Sequence, residues 1–336
     1  MTAPAPDPFA PFIATLGRGP GRSRALSREE ARTAFTQVLA GAVDPVQLGA
    51  FLMLLRYRGE DADEVAGLVE AAQAASVRVD AAVALDWPSY GAGRTRGAPW
   101  FLLAALALAR AGVRVLMHGS NAFSAGMSVA QWLAALGLAP AADAAAAERL
   151  LARDRFACLP LTALAPELDR LLRLRHLFGL RSPVNTVVRL LDPARAAAGV
   201  DGVFHPAYLE VHLGVAERLA RPRLLVLKGG GGEAERLPAK AAVAHLWTAA
   251  SGRSVLDLPA WPGLAGAGAP ETDAAGLAAV WGGEAAPAAS VATVRATIAL
   301  GLLALGQAAT AAAAEQEAGR IWAARHRRGR APGVHE

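Results

Sequence analysis

Cysteine is nearly absent: Cys158 is the single one in 336 residues. It cannot close an internal disulfide, and one thiol builds no zinc cluster, so the chain fits a reducing compartment. Lysine is scarce as well. Lys228 and Lys240 are the only two, and arginine carries nearly all the positive charge. Aromatics make up 6% and charged residues only 19%, against 54% hydrophobic. That balance excludes wholesale disorder and allows a sizeable core. Apolar runs such as Phe101–Leu108, which ends at Arg110, are far shorter than the roughly 20 residues that span a bilayer. Residues 1–12 show no basic stretch followed by an apolar one, so no signal peptide is expected. A cytoplasmic protein without a membrane partner is the expectation.

Alanine supplies much of the apolar content and favours helix, which excludes a collagen-like or all-β chain. At about 150 residues per domain the length suits two domains. The formal charge is +5, and arginine's planar fork binds two phosphate oxygens at once, so a polyanion partner fits without being established.

The first segment reads as helix throughout. Ser27-Arg28-Glu29-Glu30 is a capping box, with a helix expected to about Ala40 and a stop at Gly41. Asp44-Pro45 opens the next, whose Leu48, Phe51, Leu52 and Leu55 share one face, and Gly59 breaks it. Residues 60–75 form a third. From Val77 short β-branched runs alternate with helices: strands at 83–86, 113–117 and 224–227, helices at 99–110 and 128–136. This alternation predicts an α/β domain with a largely parallel sheet, whose ligands sit beyond the carboxyl ends of the strands. The alanine runs 141–147 and 308–314 read as helix or connector.

Three loops fall at those ends. Tyr90-Gly91-Ala92-Gly93, with Arg94 and Arg96 beyond it, suits a phosphate or an ordinary strand-to-helix turn. His118-Gly119-Ser120-Asn121 follows the second strand, and its histidine reads as a ligand contact or as a satisfied structural residue. Gly229–Gly232, between Lys228 and Glu233, reads as an approach to an anion or metal, or as a surface turn. No Ser-His-Asp order or metal-ligand histidine spacing appears, and Cys158 reads as a small buried hydrophobe. Arginines gather in three clusters: Arg18, Arg22 and Arg24; Arg170, Arg173, Arg175 and Arg181; and Arg320, Arg325, Arg327, Arg328 and Arg330.

In order and spacing these loops resemble the anthranilate phosphoribosyltransferase family, glycosyltransferase family three. Counterparts of its motifs are Asp86–Gly93, Met117–Asn121, Arg175–Asn185 and Lys228–Ala234, and the third is the most specific. Family members carry a lysine where Met117 stands, Asn-x-Ser-Thr where Ala98-Pro99-Trp100-Phe101 stands, and Asp-Glu where Glu233-Ala234 stands. With Leu16–Gly19, Leu54–Glu60 and Pro88–Tyr90, this pattern is similar to the YbiB-like branch of the family.

The resemblance implies a nucleoside phosphorylase/phosphoribosyltransferase class-II-like fold, α/β with a small helical domain. The helical domain would span 1–78, completed by an insertion near 163–184, the α/β domain 79–318, and a basic tail 319–336. It implies a homodimer through the N-terminal helices. It also implies binding of single-stranded DNA or RNA, with single-stranded DNA preferred and no sequence preference, along a basic groove of the dimer, in place of anthranilate phosphoribosyl transfer. Arg18, Arg22, Arg24, Arg175, Arg181, Arg325, Arg327 and Arg328 would touch the strand. Tyr90, Gly91, Gly93, Arg94, His118, Gly119, Asn121, Lys228, Gly229 and Glu233 would outline a degenerate phosphoribosyl-diphosphate site. The alternatives are an active pentosyl transferase with an altered acceptor or a diphosphate-binding regulator. No cofactor is expected, magnesium entering only with an active enzyme.

Overall fold

A computed structural model describes residues 7–19, 21–91, 97–120, 128–264 and 270–326. Four helices come first: α1 Ala10–Gly17, α2 Arg28–Leu39, α3 Pro45–Arg58 and α4 Ala62–Ala75. Their ends follow local chemistry. The Ser27–Glu30 capping box closes in both directions at the start of α2. Asp44 accepts from Val46 N at the start of α3. Asp61, rather than Glu60, caps α4, so the helix begins two residues later than the acidic run suggests.

The α/β part runs β1 Leu85–Ser89, α5 Trp100–Arg110, β2 Val115–Gly119, α6 Val129–Ala135, α7 Ala144–Asp154 and β3 Phe156–Pro160. Short helices follow: α8 Leu161–Leu164, α9 Pro166–Arg173, α10 Arg175–Phe178 and α11 Val184–Val187. Then come β4 Ala198–Val203, α12 Ala207–Arg218, β5 Arg223–Lys228, β6 Ala242–Thr248, β7 Gly252–Leu258, α13 Ala274–Gly282, α14 Ala288–Leu305 and α15 Ala311–Ala324.

The seven strands are ordered β3-β2-β1-β4-β5-β6-β7. The first five are parallel, and β6 and β7 add an antiparallel edge. The chain winds outward from β1 to β3, then returns across β1 to start β4, so β1 and β4 flank the switch point where such sheets hold ligands. One face is covered by α5 and α14, the other by the helical segments and α12. Within α14, Ala288–Leu305 is long and apolar enough to cross a membrane by length and composition, and 72% of it is buried inside the protein.

Strands β1 and β2 lie about two residues further along than the β-branched runs suggest. Pro88 explains part of this. β1 pairs with β4 only at Leu85 and Asp86, so the N–H missing from Pro88 is not needed on that side. The β6–β7 hairpin was not legible from the strand pattern. The stretch from 319, expected as a tail, continues α15 through Ala324. The stripe Leu48, Phe51, Leu52 and Leu55 is buried within the chain's own core, so it is not available to a second copy.

Candidate anion and carboxylate site

The loops after β1, β4 and β5 meet at the switch point. Glu233 is 1% exposed, and its Oε1 accepts from Tyr90 N at 3.2 Å and Gly91 N at 2.7 Å. Arg189 also donates to it, Nη2 to Oε1 at 3.2 Å, and its guanidinium lies 5.9 Å from the Tyr90 ring centre. The loop is held by close backbone approach. A Cβ on Gly202 would lie 2.0 Å from the Glu233 carbonyl carbon, and one on Gly229 would lie 1.7 Å from its oxygen. Glu235 reaches the other side, its Oε2 accepting from Phe101 N in the first turn of α5 at 3.0 Å.

Beneath these loops runs a buried polar network. The Tyr90 hydroxyl meets His118 Nδ1 at 2.8 Å, and His118 Nε2 lies 3.3 Å from Asp86. Arg221 bonds Asp86 at 3.1 Å and sits 3.4 Å from Asp192. Burial pushes the Asp86 carboxyl up, but His118 and Arg221 outweigh it and hold it below the usual range. For Asp192 burial wins and the carboxyl is raised despite Arg221. Burial also raises the Tyr90 hydroxyl well above its usual value. His118 is a fully buried member of this network, and it also lines a cavity with Ser89, Gly119 and Ser120 beyond the ends of β1 and β2.

A cavity of about 320 Å³ opens between the helical segments and the ends of β4 and α12. Arg56, Arg175, Arg181 and Arg189 line it, with Leu180, Phe204 and Tyr208 as apolar walls. Burial first, and then the neighbouring charges of Arg175, Arg189 and Arg56, pull the Arg181 guanidinium below its usual pKa. Arg189 is 4% exposed and its Nη1 has no hydrogen-bond partner among the described residues. Arg56 is steadied by donating to the Tyr208 hydroxyl at 2.5 Å. His212, held by Asp201 at 2.8 Å, completes the wall.

The structure thus brings together Tyr90, Gly91, Glu233, Arg175 and Arg181. Gly119 packs against the Ser89 carbonyl with no room for a side chain, Gly229 anchors its loop, and Lys228 is exposed at the end of β5. Gly93, Arg94, Asn121, Arg327, Arg328 and Arg330 lie outside the described residues. The other arginine clusters are more compensated than their spacing suggests. Arg18 and Arg22 are exposed, but Arg24 forms a two-armed pair with Glu30. Arg170 pairs with Glu167, Arg173 with Asp169 and Arg320 with Glu317. Arg325 stacks on Trp322 at 3.8 Å and donates to the carbonyls of Trp281, Val280 and Trp322.

Arg56, Arg189 and Glu235 were missed as site residues. A signal existed for Arg189: Arg181, Asn185 and Arg189 recur every fourth residue, which puts them on one side of a helical stretch. For magnesium the donor set is poor as arranged. No group of three His, Cys, Asp or Glu side chains converges among the described residues, and Glu233 is engaged by amides and a guanidinium.

Fold and site together define a two-part α/β protein with an arginine-rich cleft at the sheet's switch point. Residues 10–76 match the helical bundle domain of the glycosyl transferase family, and residues 101–321 match its a/b domain. The chain belongs to this family, glycosyl transferase family 3. It is 33% identical over 302 residues to the anthranilate phosphoribosyltransferase of Beijerinckia indica, covering 88% of this chain and 87% of that one. It is 34% identical to that of Methylobacterium nodulans, covering 88% of each. The crystal structure of anthranilate phosphoribosyltransferase from Thermus thermophilus superposes with a TM-score of 0.74 at 27% identity, over 94% of both chains. The Saccharomyces cerevisiae enzyme in complex with PRPP and Mg shares the fold, with a TM-score of 0.74 at 15% identity.

These relatives correct the expectation of a nucleic-acid-binding protein that has given up transfer. They carry the name of an enzyme, and of the arginines named for that expectation Arg24 is paired with Glu30 and Arg325 is held against Trp322 and three backbone carbonyls.

Proposed function

We propose that the protein transfers a pentosyl group from a phosphoribosyl-diphosphate donor to an acceptor carrying a carboxylate, held in the arginine cavity. The observation that carries this is the convergence of four guanidiniums on one cavity beside the Tyr90–Gly91 and Gly229–Glu235 loops. A carboxylate takes two bonds from an arginine fork, and Leu180, Phe204 and Tyr208 give an aromatic ring apolar contact. Anthranilate, named in the relatives, is such an acceptor, and other aromatic carboxylates offer the same two features. Calorimetric titration with anthranilate and other aromatic carboxylates is expected to give saturable one-to-one binding. Absence of heat with every one of them contradicts the assignment.

We further propose that two copies pair through the helical segment. Val46 on α3 and Leu177 on α10 are 81% and 82% exposed, and these helices adjoin where Phe178 lies beside Gly49. Large exposed apolar side chains grouped in this way favour burial against a partner. Light scattering is expected to give a dimer for the wild type and a monomer for Val46→Glu with Leu177→Glu. A monomeric wild type at micromolar concentration contradicts the pairing.

A further inference from the structure

The donors at the sheet's switch point already hold an anion, and it belongs to the protein. Amides at the end of a strand and in the first turn of a helix are where phosphate oxygens are held in many α/β proteins. Here Glu233 takes Tyr90 N and Gly91 N, and Glu235 takes Phe101 N. The arrangement uses only part of what is present. Glu233 Oε1 carries all three contacts, while its buried Oε2 has no partner among the described residues. Arg189 donates to it from Nη2, while its buried Nη1 also lacks one. A group with three acceptor oxygens in place of one carboxylate would meet both amides and both arms of Arg189. The mismatch of one half-used carboxylate and one half-used guanidinium, both nearly inaccessible to water, marks a place suited to a larger oxyanion.

We infer that the Glu233 carboxylate is an internal competitor for the diphosphate end of the donor. In the resting protein it closes the Tyr90–Gly91 amides and Arg189. Diphosphate binds by taking over those donors, with the Glu233 side chain turned away. The apparent affinity is then the intrinsic one multiplied by the fraction of molecules in which Glu233 has left its place. The inference rests on the proposed function only in taking diphosphate as the anion, and Glu233 is thereby a determinant of donor affinity.

Titration of wild type, Glu233→Gln and Glu233→Ala with inorganic diphosphate tests it. Glu233→Ala is expected to bind at least tenfold more tightly than wild type. Glu233→Gln keeps the shape and has a neutral acceptor, so it is expected to fall between, and its melting temperature reports whether the loop stays folded. Equal or weaker binding by both variants overturns the inference and makes Glu233 a bystander or a helper of the ligand. Absence of diphosphate binding in all three proteins overturns it too. In either case the aromatic-carboxylate titration still decides separately on the proposed function.

Discussion

Replacing Arg221 with methionine is expected to destabilise the fold by about 3–5 kcal/mol at neutral pH, the range for removing one partner from a buried ion pair. Arg221 is 5% exposed and stands between Asp86 and Asp192, which are 1% and 3% exposed. Without it two carboxylates remain in the interior, Asp86 beside His118 and Asp192 accepting from Ala196 N at 2.8 Å. The loss should shrink in acid. Asp86 is held low in the native protein, so its contribution is present above the unfolded carboxyl pKa and fades as pH falls through the folded value. In the variant, protonation relieves the stranded charges, so the two proteins converge as pH drops. Urea midpoints at neutral and acidic pH check this, and equal midpoints at neutral pH contradict it.

Arg181→Ala is expected to weaken binding of aromatic carboxylates by about ten- to a hundredfold. Losing hydrogen bonds to a charged group costs about 1.5–3 kcal/mol, and 1.4 kcal/mol is a factor of ten. The melting temperature should stay level or rise, because Arg181 faces Arg175, Arg189 and Arg56 and its removal relieves like-charge crowding. A drop in affinity without a drop in stability separates a ligand-binding arginine from a structural one. Unchanged affinity in the calorimeter contradicts the placement of the acceptor.

Much of the fold was written locally. Ser27, Asp44 and Gly59 set the helix ends because each acts within a turn of its own position. The alternation after Val77 marked a parallel sheet for a similar reason: buried strands and their covering helices each carry their own period. The hairpin β6–β7 escaped because its exposed Val243 and Val255 blur the inside-outside pattern. The site divided along the same line. The glycine loops were visible as loops, and Arg175 and Arg181 as a charge cluster. What they face was not visible, since Glu233 reaches Gly91 across 142 residues and Arg56 reaches Tyr208 across 152. Nor does a run of arginines show which are spent on a neighbouring acid, as Arg24 is on Glu30, and which are gathered into a cavity, as Arg181 is.

The most direct test is release of inorganic diphosphate from phosphoribosyl diphosphate in the presence of magnesium and a panel of aromatic carboxylates, anthranilate included. Release that depends on one of these acids, with a matching pentosyl product, and that falls in Arg181→Ala is the expected result. A donor that stays intact with every acid, at protein concentrations where the wild type binds both ligands, contradicts the assignment of transfer.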